Sequence, residues 1–352
     1  MRAYLLRRLL ALPPMLLGIT LVVFAAVHAA PGDPADLRPG GVVGEETPGA
    51  VSDAAWRAFR ERHLLDRPLW RQYLHFLGPF DLSPRGHTLF GGSGEEPWHG
   101  LLALDLGGEL HRPAVGVLDE LGRRLRVTVP LAACALLVAY GLAIPLGLWS
   151  ARRRGTRVDG ALALALFGLH ALPTFWVGLL LVLVFGATGL DWLPTIGLHA
   201  RGSEAWGAGA RAADVALHAI LPVTTLALGS LAYLSRQMRA GLLEALPSGF
   251  VLAARAKGLS EGQALVRHAL PNALLPIVTL AAAVLPALVG GSIVVETIFD
   301  LPGVGRYAYE GLTYRDYNVV LATATLSAAM TLVGLLVSDL AYAWVDPRIR
   351  HG

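Results

Sequence analysis

The sequence is poor in charged residues, and this shortage indicates its class before any motif is considered. Asp, Glu, Lys and Arg make up 16% of the 352 residues, against 54% hydrophobic residues, whereas an ordinary soluble domain carries about 25% charged residues. The deficit is concentrated, because long stretches contain no charge at all. A soluble enzyme, a disordered protein and a disulfide scaffold are therefore excluded, and the composition indicates a protein that crosses a membrane several times.

Cysteine and lysine each occur once. Cys134 cannot form an intrachain disulfide, and a structural zinc site would need several ligands, so we expect it to be a small buried apolar side chain. Lys257 is followed by Gly258, so the chain has no Gly-x-x-x-x-Gly-Lys-Ser/Thr motif with which to hold nucleotide phosphates. If ATP drives this protein, another polypeptide hydrolyses it. We expect no catalytic residue, no metal site and no cofactor in this chain.

Six uncharged runs reach the roughly 20 residues that a membrane-spanning helix needs. A backbone in lipid must satisfy its own hydrogen bonds, so the runs are expected to be helices. The predicted fold class is an all-α polytopic membrane protein with six transmembrane helices. Pro173 and Pro222 are expected to interrupt the third and fourth runs. The runs are Leu9–Gly32, Val127–Ala151, Gly160–Leu190, Val215–Ser235, His268–Val295 and Tyr317–Ser338.

The distribution of basic residues predicts the orientation. The connections on one side of these runs carry 14 Arg and Lys residues against four acids, and the two short connections on the other side carry four Arg and seven acids. Basic connections face the cytoplasm, so both termini are predicted to be cytoplasmic. The net charge of +3 gives no indication of nucleic-acid binding, because the basic residues follow the topology.

The segment between the first and second spans is large and is predicted to be extracytoplasmic. Helical spacing of apolar residues predicts a helix over Asp53–Leu77, interrupted at Pro68, and an amphipathic helix over Pro113–Arg126 that leads into the second span. We expect this segment to be a small cap over the outer mouth of the membrane domain. The predicted organisation is residues 1–32 as the N-terminus and first span, 33–126 as the extracytoplasmic segment, and 127–352 as the core with spans two to six.

The longest inner connection, residues 248–270, has its own structural pattern. Strong helix formers over Phe250–Lys257 precede Gly258, a residue typical of a helix end. Ser260 is typical of an N-cap and predicts a second short helix over Glu261–His268. Two short helices in one connection would form a rigid projection into the cytoplasm.

This connection resembles the Glu-Ala-Ala loop of ABC-importer permeases, whose pattern is Glu-Ala-Ala, three residues, Gly, nine residues, Ile, one residue and Leu-Pro. Leu252 and His268 stand where that pattern has Glu and Ile. Because Leu252 replaces Glu at the first position of the pattern, that position cannot form a salt bridge here. The small residues of the pattern are present and keep their packing role. The matching positions are Ala253, Ala254, Gly258, Leu270 and Pro271.

The whole chain resembles the first permease subunit of dipeptide, oligopeptide and nickel importers. The motifs that carry this resemblance lie at both ends and in the middle of the chain. They are Tyr4–Leu9, Pro31–Pro34, Leu65–Pro68 with Gln72–Tyr73, Ala254–Ser260, Glu296–Phe299, Pro302–Gly305, Arg315–Tyr317 and Asp346–Arg348.

The resemblance implies the type I ABC-importer permease fold and a set of partners. A second homologous permease would complete the pathway in the lipid bilayer, two ATPase subunits would bind ATP and magnesium, and an extracytoplasmic binding protein would deliver the solute. Residues 248–271, called the coupling loop below, would dock in a cleft of one ATPase subunit. Its implied coupling residues are Ala253, Ala254, Arg255, Lys257, Gly258, Leu259, Ser260, Leu270 and Pro271.

The solute implied is a dipeptide or oligopeptide, with nickel or another small solute as the alternative. This chain has no clustered metal ligands, but the binding protein could carry such selectivity. A membrane-embedded enzyme is disfavoured, because no nucleophile with a base, paired carboxylates or metal ligands converge. A secondary transporter is disfavoured as well, because neither coupling charges within the spans nor an inverted repeat is evident.

Three acidic residues are candidates for the pathway or for contact with the binding protein. Glu296 and Asp300 lie at the outer end of the fifth run, and we expect them to face the binding protein rather than the pathway. Asp339 lies within the last apolar stretch, roughly 10 Å of helix from its inner end. Asp339 is expected to be hydrogen-bonded to neighbouring helices, with a pathway contact as the alternative.

Overall fold

The computed structural model describes residues 2–36, 53–78, 99–186, 188–283 and 291–345. Within these ranges the regular structure is helical, and the β pairing consists of isolated bridges. The helices are α1 (Arg2–Ala29), α2 (Asp53–Arg62), α3 (Leu69–Leu77), α4 (Val117–Arg152), α5 (Arg157–Ala171), α6 (Thr174–Phe185), α7 (Ala208–Ala245), α8 (Gly249–Ala256), α9 (Glu261–Ala264), α10 (Leu270–Ala283), α11 (Ile293–Ile298), α12 (Val304–Thr313) and α13 (Tyr317–Val345).

Four helices of the described part of the chain are long and apolar enough to cross a membrane, and the bent pair α5–α6 can count as a fifth span. The helical, polytopic prediction is therefore confirmed, but the count of six is not. The predicted fifth run corresponds to α10 and α11, and residues 284–290 between them lie outside the described residues. The four helices contain the apolar segments Arg7–Ala29, Val117–Arg152, Ala208–Ala245 and Tyr317–Val337.

The two prolines singled out in the sequence behave differently. At Leu172 the backbone is extended, with φ −78° and ψ 130°, and α6 turns away from α5 by 100°. The residue before a proline avoids the helical region, so Pro173 explains this break. Pro222 lies inside α7, which continues without interruption, so the predicted break there is wrong. Its neighbours Leu221 and Val223 are buried in an apolar cluster that holds the helix on both sides of the proline.

The chain forms two compact units. The first unit contains Val127–Gly303 and Met330–Gly352, and the second unit contains Arg2–Arg126 and Val304–Ala329. Helix α4 contributes to both units, because it begins at Val117.

Within the second unit, buried carboxylates fasten the segment before α4 to the residues around α12. Glu109 is buried and accepts hydrogen bonds from Tyr307 Oη at 3.0 Å and from Arg112 Nε at 2.6 Å. Asp316, also buried, accepts a hydrogen bond of 2.7 Å from the backbone N–H of Leu110. These bonds supply partners for carboxylates that would be costly to bury alone.

The helices predicted over Asp53–Leu77 are confirmed as α2 and α3, separated by a turn in which Leu64 has φ +57°. Helix α3 is attached to α1 in the same unit, because Tyr73 Oη donates to the carbonyl oxygen of Leu17 at 3.0 Å. His28 Nε2 lies 3.2 Å from Gln72 Oε1, which adds a second hydrogen bond between these helices.

Cys134 corrects one prediction of burial. It lies on α4 and is exposed in this chain. Leu137, one turn further along the same helix, is exposed as well. None of the helices in the described ranges therefore covers this face of α4, and helical periodicity alone could not distinguish it from the buried face.

Candidate functional site

Helix α8 of the coupling loop shares a buried core with the last turns of α7. Val251 and Ala254 are its buried residues, and Val251 belongs to a core that contains Met238 and Leu242 of α7, both completely buried. The apolar spacing of α8 therefore anchors one face of the loop. The other buried members of this core are Ala151, Ala264, Leu265, Ala269, Ala273 and Ile277.

The exposed residues of the coupling loop include three large apolar side chains beside several polar ones. Leu252, which stands where the permease pattern has Glu, is 51% exposed, and Phe250 and Val266 are exposed to a similar extent. Large apolar side chains exposed within one short segment are consistent with a protein interaction site. Among the implied coupling residues, Ala254 is buried, Leu259 and Leu270 are half-buried, and the exposed ones are Ala253, Arg255, Lys257, Gly258, Ser260 and Pro271.

Gly258 is required for its backbone conformation rather than for its size. Its φ is +94°, in the left-handed region that favours glycine, and no atom lies within 4 Å of the position that a Cβ would occupy. The N–H of Gly258 donates to the carbonyl oxygen of Arg255 at 2.9 Å, and the N–H of Leu259 donates to that of Ala254 at 3.3 Å. The predicted end of the first short helix is confirmed.

Ser260 caps the second short helix as predicted. Its Oγ accepts a hydrogen bond of 3.3 Å from the N–H of Gln263, and Gln263 Oε1 accepts one of 3.2 Å from the N–H of Ser260. This reciprocal pair is a capping box, which satisfies two N–H groups at the start of α9.

The second helix does not end at His268. A π-helical turn over Leu265–Ala269 joins α9 directly to α10, and the N–H of Leu270 donates to the carbonyl oxygen of Leu265, five residues earlier. Pro271 has no N–H to donate, and the π turn directly precedes it. The coupling loop is therefore continuous with α10 as one run of helical structure.

A buried carboxylate that the sequence analysis did not single out lies beside this loop. Asp159, at the start of α5, is 5% exposed and accepts hydrogen bonds from Arg239 Nε at 3.1 Å and Nη2 at 2.7 Å. Ser150 Oγ and the N–H of Gly155 donate to the same carboxylate. Asp159 was visible in the sequence as one of the few acids among the basic inner connections, but its partner lies 80 residues away.

The three acidic candidates for pathway or partner contact have different surroundings. Glu296 is 1% exposed, accepts a hydrogen bond of 2.9 Å from Thr128 Oγ1, and lies against Gly303. Its carboxylate is therefore not at the surface of this chain. Asp300 is exposed, with φ +51°. Asp339 lies on α13, and its side chain is outside the described residues.

In the described part of the chain, no three His, Cys, Asp or Glu side chains are arranged to hold a metal ion. His218 Nδ1 hydrogen-bonds to the carbonyl oxygen of Asp214 at 2.9 Å, and His28 Nδ1 bonds to that of Phe24 at 2.9 Å. These histidines have local partners on their own helices.

Residues 143–351 match the family model described as "Binding-protein-dependent transport system inner membrane component". The chain is 34% identical over 351 residues to the oligopeptide transport system permease protein AppB of Bacillus subtilis, with 100% of both chains covered. It is 33% identical over 369 residues to the dipeptide transport system permease protein DppB of Escherichia coli K12, with 100% of this chain and 99% of that protein covered.

Among solved structures, the chain is similar to the methionine ABC transporter MetNI in an inward-facing conformation. The similarity covers 65% of this chain and 97% of that chain, with a TM-score of 0.47 and 21% sequence identity.

Proposed function

The chain belongs to the family of binding-protein-dependent transport system inner membrane components, and from this premise we propose that it is the permease subunit through which an ATP-driven importer carries dipeptides and oligopeptides. The observation that carries the peptide assignment is the identity of about a third, over the full length, to permeases of oligopeptide and dipeptide transport systems. The chain would form half of the translocation pathway in the bacterial inner membrane, with both termini in the cytoplasm.

The proposed assembly contains a second homologous permease, two ATPase subunits and an extracytoplasmic binding protein. The sequence supports a separate ATPase, because its single lysine is not part of a phosphate-binding motif. ATP and magnesium would accordingly be bound by the partner subunits. Residues 33–126 would form a cap on the outer side, and Asp300, which is exposed, would be available to the binding protein.

The coupling loop is the proposed docking element for one ATPase subunit. Its exposed residues include Phe250, Leu252 and Val266 as apolar contacts, with Arg255 and Lys257 exposed in the same segment. Its buried face packs on α7 and continues into α10. Closure of the ATPase pair on ATP would displace the loop, and α7 and α10 would carry that displacement to the membrane helices, which alternate between inward-open and outward-open states.

Affinity purification of the tagged chain in mild detergent, followed by reconstitution of the recovered complex into proteoliposomes, tests this proposal. We expect a second polytopic permease and P-loop ATPases to co-purify, and labelled peptides to enter the vesicles only with ATP and the binding protein. Uptake of nickel without peptide uptake would reassign the solute. Recovery of this chain alone as a stable homo-oligomer would overturn the importer assignment.

A further inference from the structure

We propose that Asp159 and Arg239 form a mechanical connection between the coupling loop and the α4–α5 turn, so that displacement of the loop moves α4 and α5 together with α7. This inference rests on the proposed function, because it concerns how the motion of the coupling loop reaches the spans. Both residues belong to the first unit, as do the coupling loop and α7.

The carboxylate of Asp159 joins three elements at one point. Ser150 of α4, Gly155 of the α4–α5 turn and Arg239 of α7 all donate hydrogen bonds to it. The two bonds from the guanidinium of Arg239 fix its orientation as well as its distance, because a bidentate arginine–carboxylate pair has a preferred planar geometry. A sliding movement of α7 relative to the turn would break both bonds.

The turn of α7 that carries Arg239 belongs to the same buried core as the coupling loop. Met238, the preceding residue, and Leu242, three residues later, are completely buried in the core that includes Val251 of α8. Gly241 of the same turn lies against Ala273 of α10, the helix into which the coupling loop continues, while Arg239 reaches from this turn to Asp159. A displacement of α8 can therefore reach α7 through the shared core and α10, within one helical turn of the ion pair.

The α4–α5 turn also approaches the second helix of the coupling loop. Arg152, the last residue of α4, has its Nη2 atom 3.8 Å from the position that a Cβ would occupy on Gly262 of α9. Ala151 belongs to the same buried core as α8 and α9. The coupling loop is thus linked to the α4–α5 turn in two ways. One link runs through α7 and the Asp159–Arg239 pair, and the other is the approach of Arg152 to Gly262.

A buried ion pair contributes more to the alignment of two helices than to the stability of their packing. A buried ion pair is often no more stabilising than well-packed apolar residues of similar volume, whereas its directional bonds specify one alignment. Arg239 remains about a third exposed and Asp159 is buried. The pair therefore adds one specified alignment between α7 and the turn to helices that already share apolar cores.

The test compares transport with ATP hydrolysis in the complete complex in proteoliposomes. The variants are Asp159→Asn and Arg239→Lys, and the matched control is Arg236→Gln, which alters an exposed arginine one turn earlier on α7. We expect Asp159→Asn to lower peptide uptake about tenfold, with ATP hydrolysis retained, so that more ATP is consumed per peptide. Arg239→Lys should have an intermediate effect, because lysine keeps the charge but not the bidentate geometry.

The ratio of ATP hydrolysed to peptide imported distinguishes a coupling role from a structural one. Equal losses of hydrolysis and uptake, or a wild-type ratio in both variants, would overturn the inference while leaving the importer assignment intact. If Asp159→Asn does not assemble, Arg239→Lys decides, and failure of both variants to assemble would show that the pair serves folding only. A wild-type complex without ATP-dependent uptake would instead refute the proposed function itself.

Discussion

Thr128 Oγ1 of α4 donates a hydrogen bond of 2.9 Å to Glu296 Oε1 of α11, and both side chains are buried. The two bonded residues lie on different helices and are 168 positions apart in the chain. It changes the role that we assign to Glu296, because a buried carboxylate with a local donor contributes to packing, whereas the nearby exposed Asp300 can contact a partner.

Replacement of these two acids should therefore give different results. Glu296→Ala removes a buried acceptor and leaves Thr128 without it, so we expect a loss of about 2 kcal/mol in the free energy of unfolding, measured as a lower melting temperature of the purified complex. Asp300→Asn, which keeps a side chain that tolerates φ +51°, should lower the melting temperature less than Glu296→Ala does and weaken the stimulation of ATP hydrolysis by the binding protein. An unchanged melting temperature in Glu296→Ala would contradict the packing role.

Gly258→Ala should impair coupling without affecting membrane insertion. The cost arises from φ +94° rather than from a clash, and an alanine forced into the left-handed region costs roughly 1–2 kcal/mol. We expect reduced ATP-dependent uptake at normal abundance in the membrane. Gly249→Ala is the matched control, because that glycine also has open space around it but is not in the left-handed region. Equal uptake by the two variants would refute the conformational argument.

Gly147 marks a close approach between α4 and α7. A Cβ on this residue would lie 2.6 Å from Met238 Cβ and 2.8 Å from the carbonyl oxygen of Ser235. Gly147→Ala should therefore destabilise the protein by about 1–3 kcal/mol through overpacking, seen as a lower melting temperature. Gly141→Ala on the same helix has no atom within 4 Å of its Cβ and should be neutral. The prediction fails if both variants melt like the wild type.

Two histidines of the second unit should make the stability of the fold depend on pH in opposite directions. The Asp316 carboxylate, 3.9 Å from His111 Nδ1, raises the pKa of His111 above its ordinary value, and burial lowers the pKa of His63. His111 therefore stabilises the fold fully below its unfolded-state pKa of 6.5 and loses this contribution as pH rises through its folded pKa. His63 opposes folding as pH falls from 6.5 through its lowered pKa.

Melting temperatures measured between about pH 5 and 8 test this pair of signs. His111→Gln should lower the melting temperature mainly at acidic pH, whereas His63→Gln should raise it there relative to the wild type. Parallel pH profiles for the two variants and the wild type would show that neither histidine is linked to folding in this way.

Local sequence signals predicted the local structure of this protein well. Ser260 and Gly258 determine the ends of the two short helices through hydrogen bonds and backbone conformation within a few residues, so both could be inferred from the sequence. The break at Pro173 follows from a steric rule that acts on the preceding residue. Pro222 was misjudged because the packing of its neighbours, which the sequence does not reveal, keeps α7 continuous.

Contacts between residues that are far apart in the chain could not be predicted from the sequence. The burial of Glu296 depends on Thr128, and the partner of Asp159 is Arg239, so each contact exists only because different helices are brought together. A single sequence gives the position of a charge along one helix, but it does not identify the facing helix. The coupling loop could therefore be predicted as a segment of the sequence. The ion pair between Asp159 and Arg239 could not.

Site-specific cross-linking from the coupling loop tests the central claim most directly. In a Cys134→Ala background, Leu252→Cys introduces a single thiol on the exposed face of α8, and Leu104→Cys introduces one on an exposed turn before α4 as the control. The account predicts that a short bifunctional reagent joins position 252, and not position 104, to a P-loop ATPase, and that ATP alters the yield. Cross-links to the ATPase from position 104, or none from position 252 in an active complex, would contradict it.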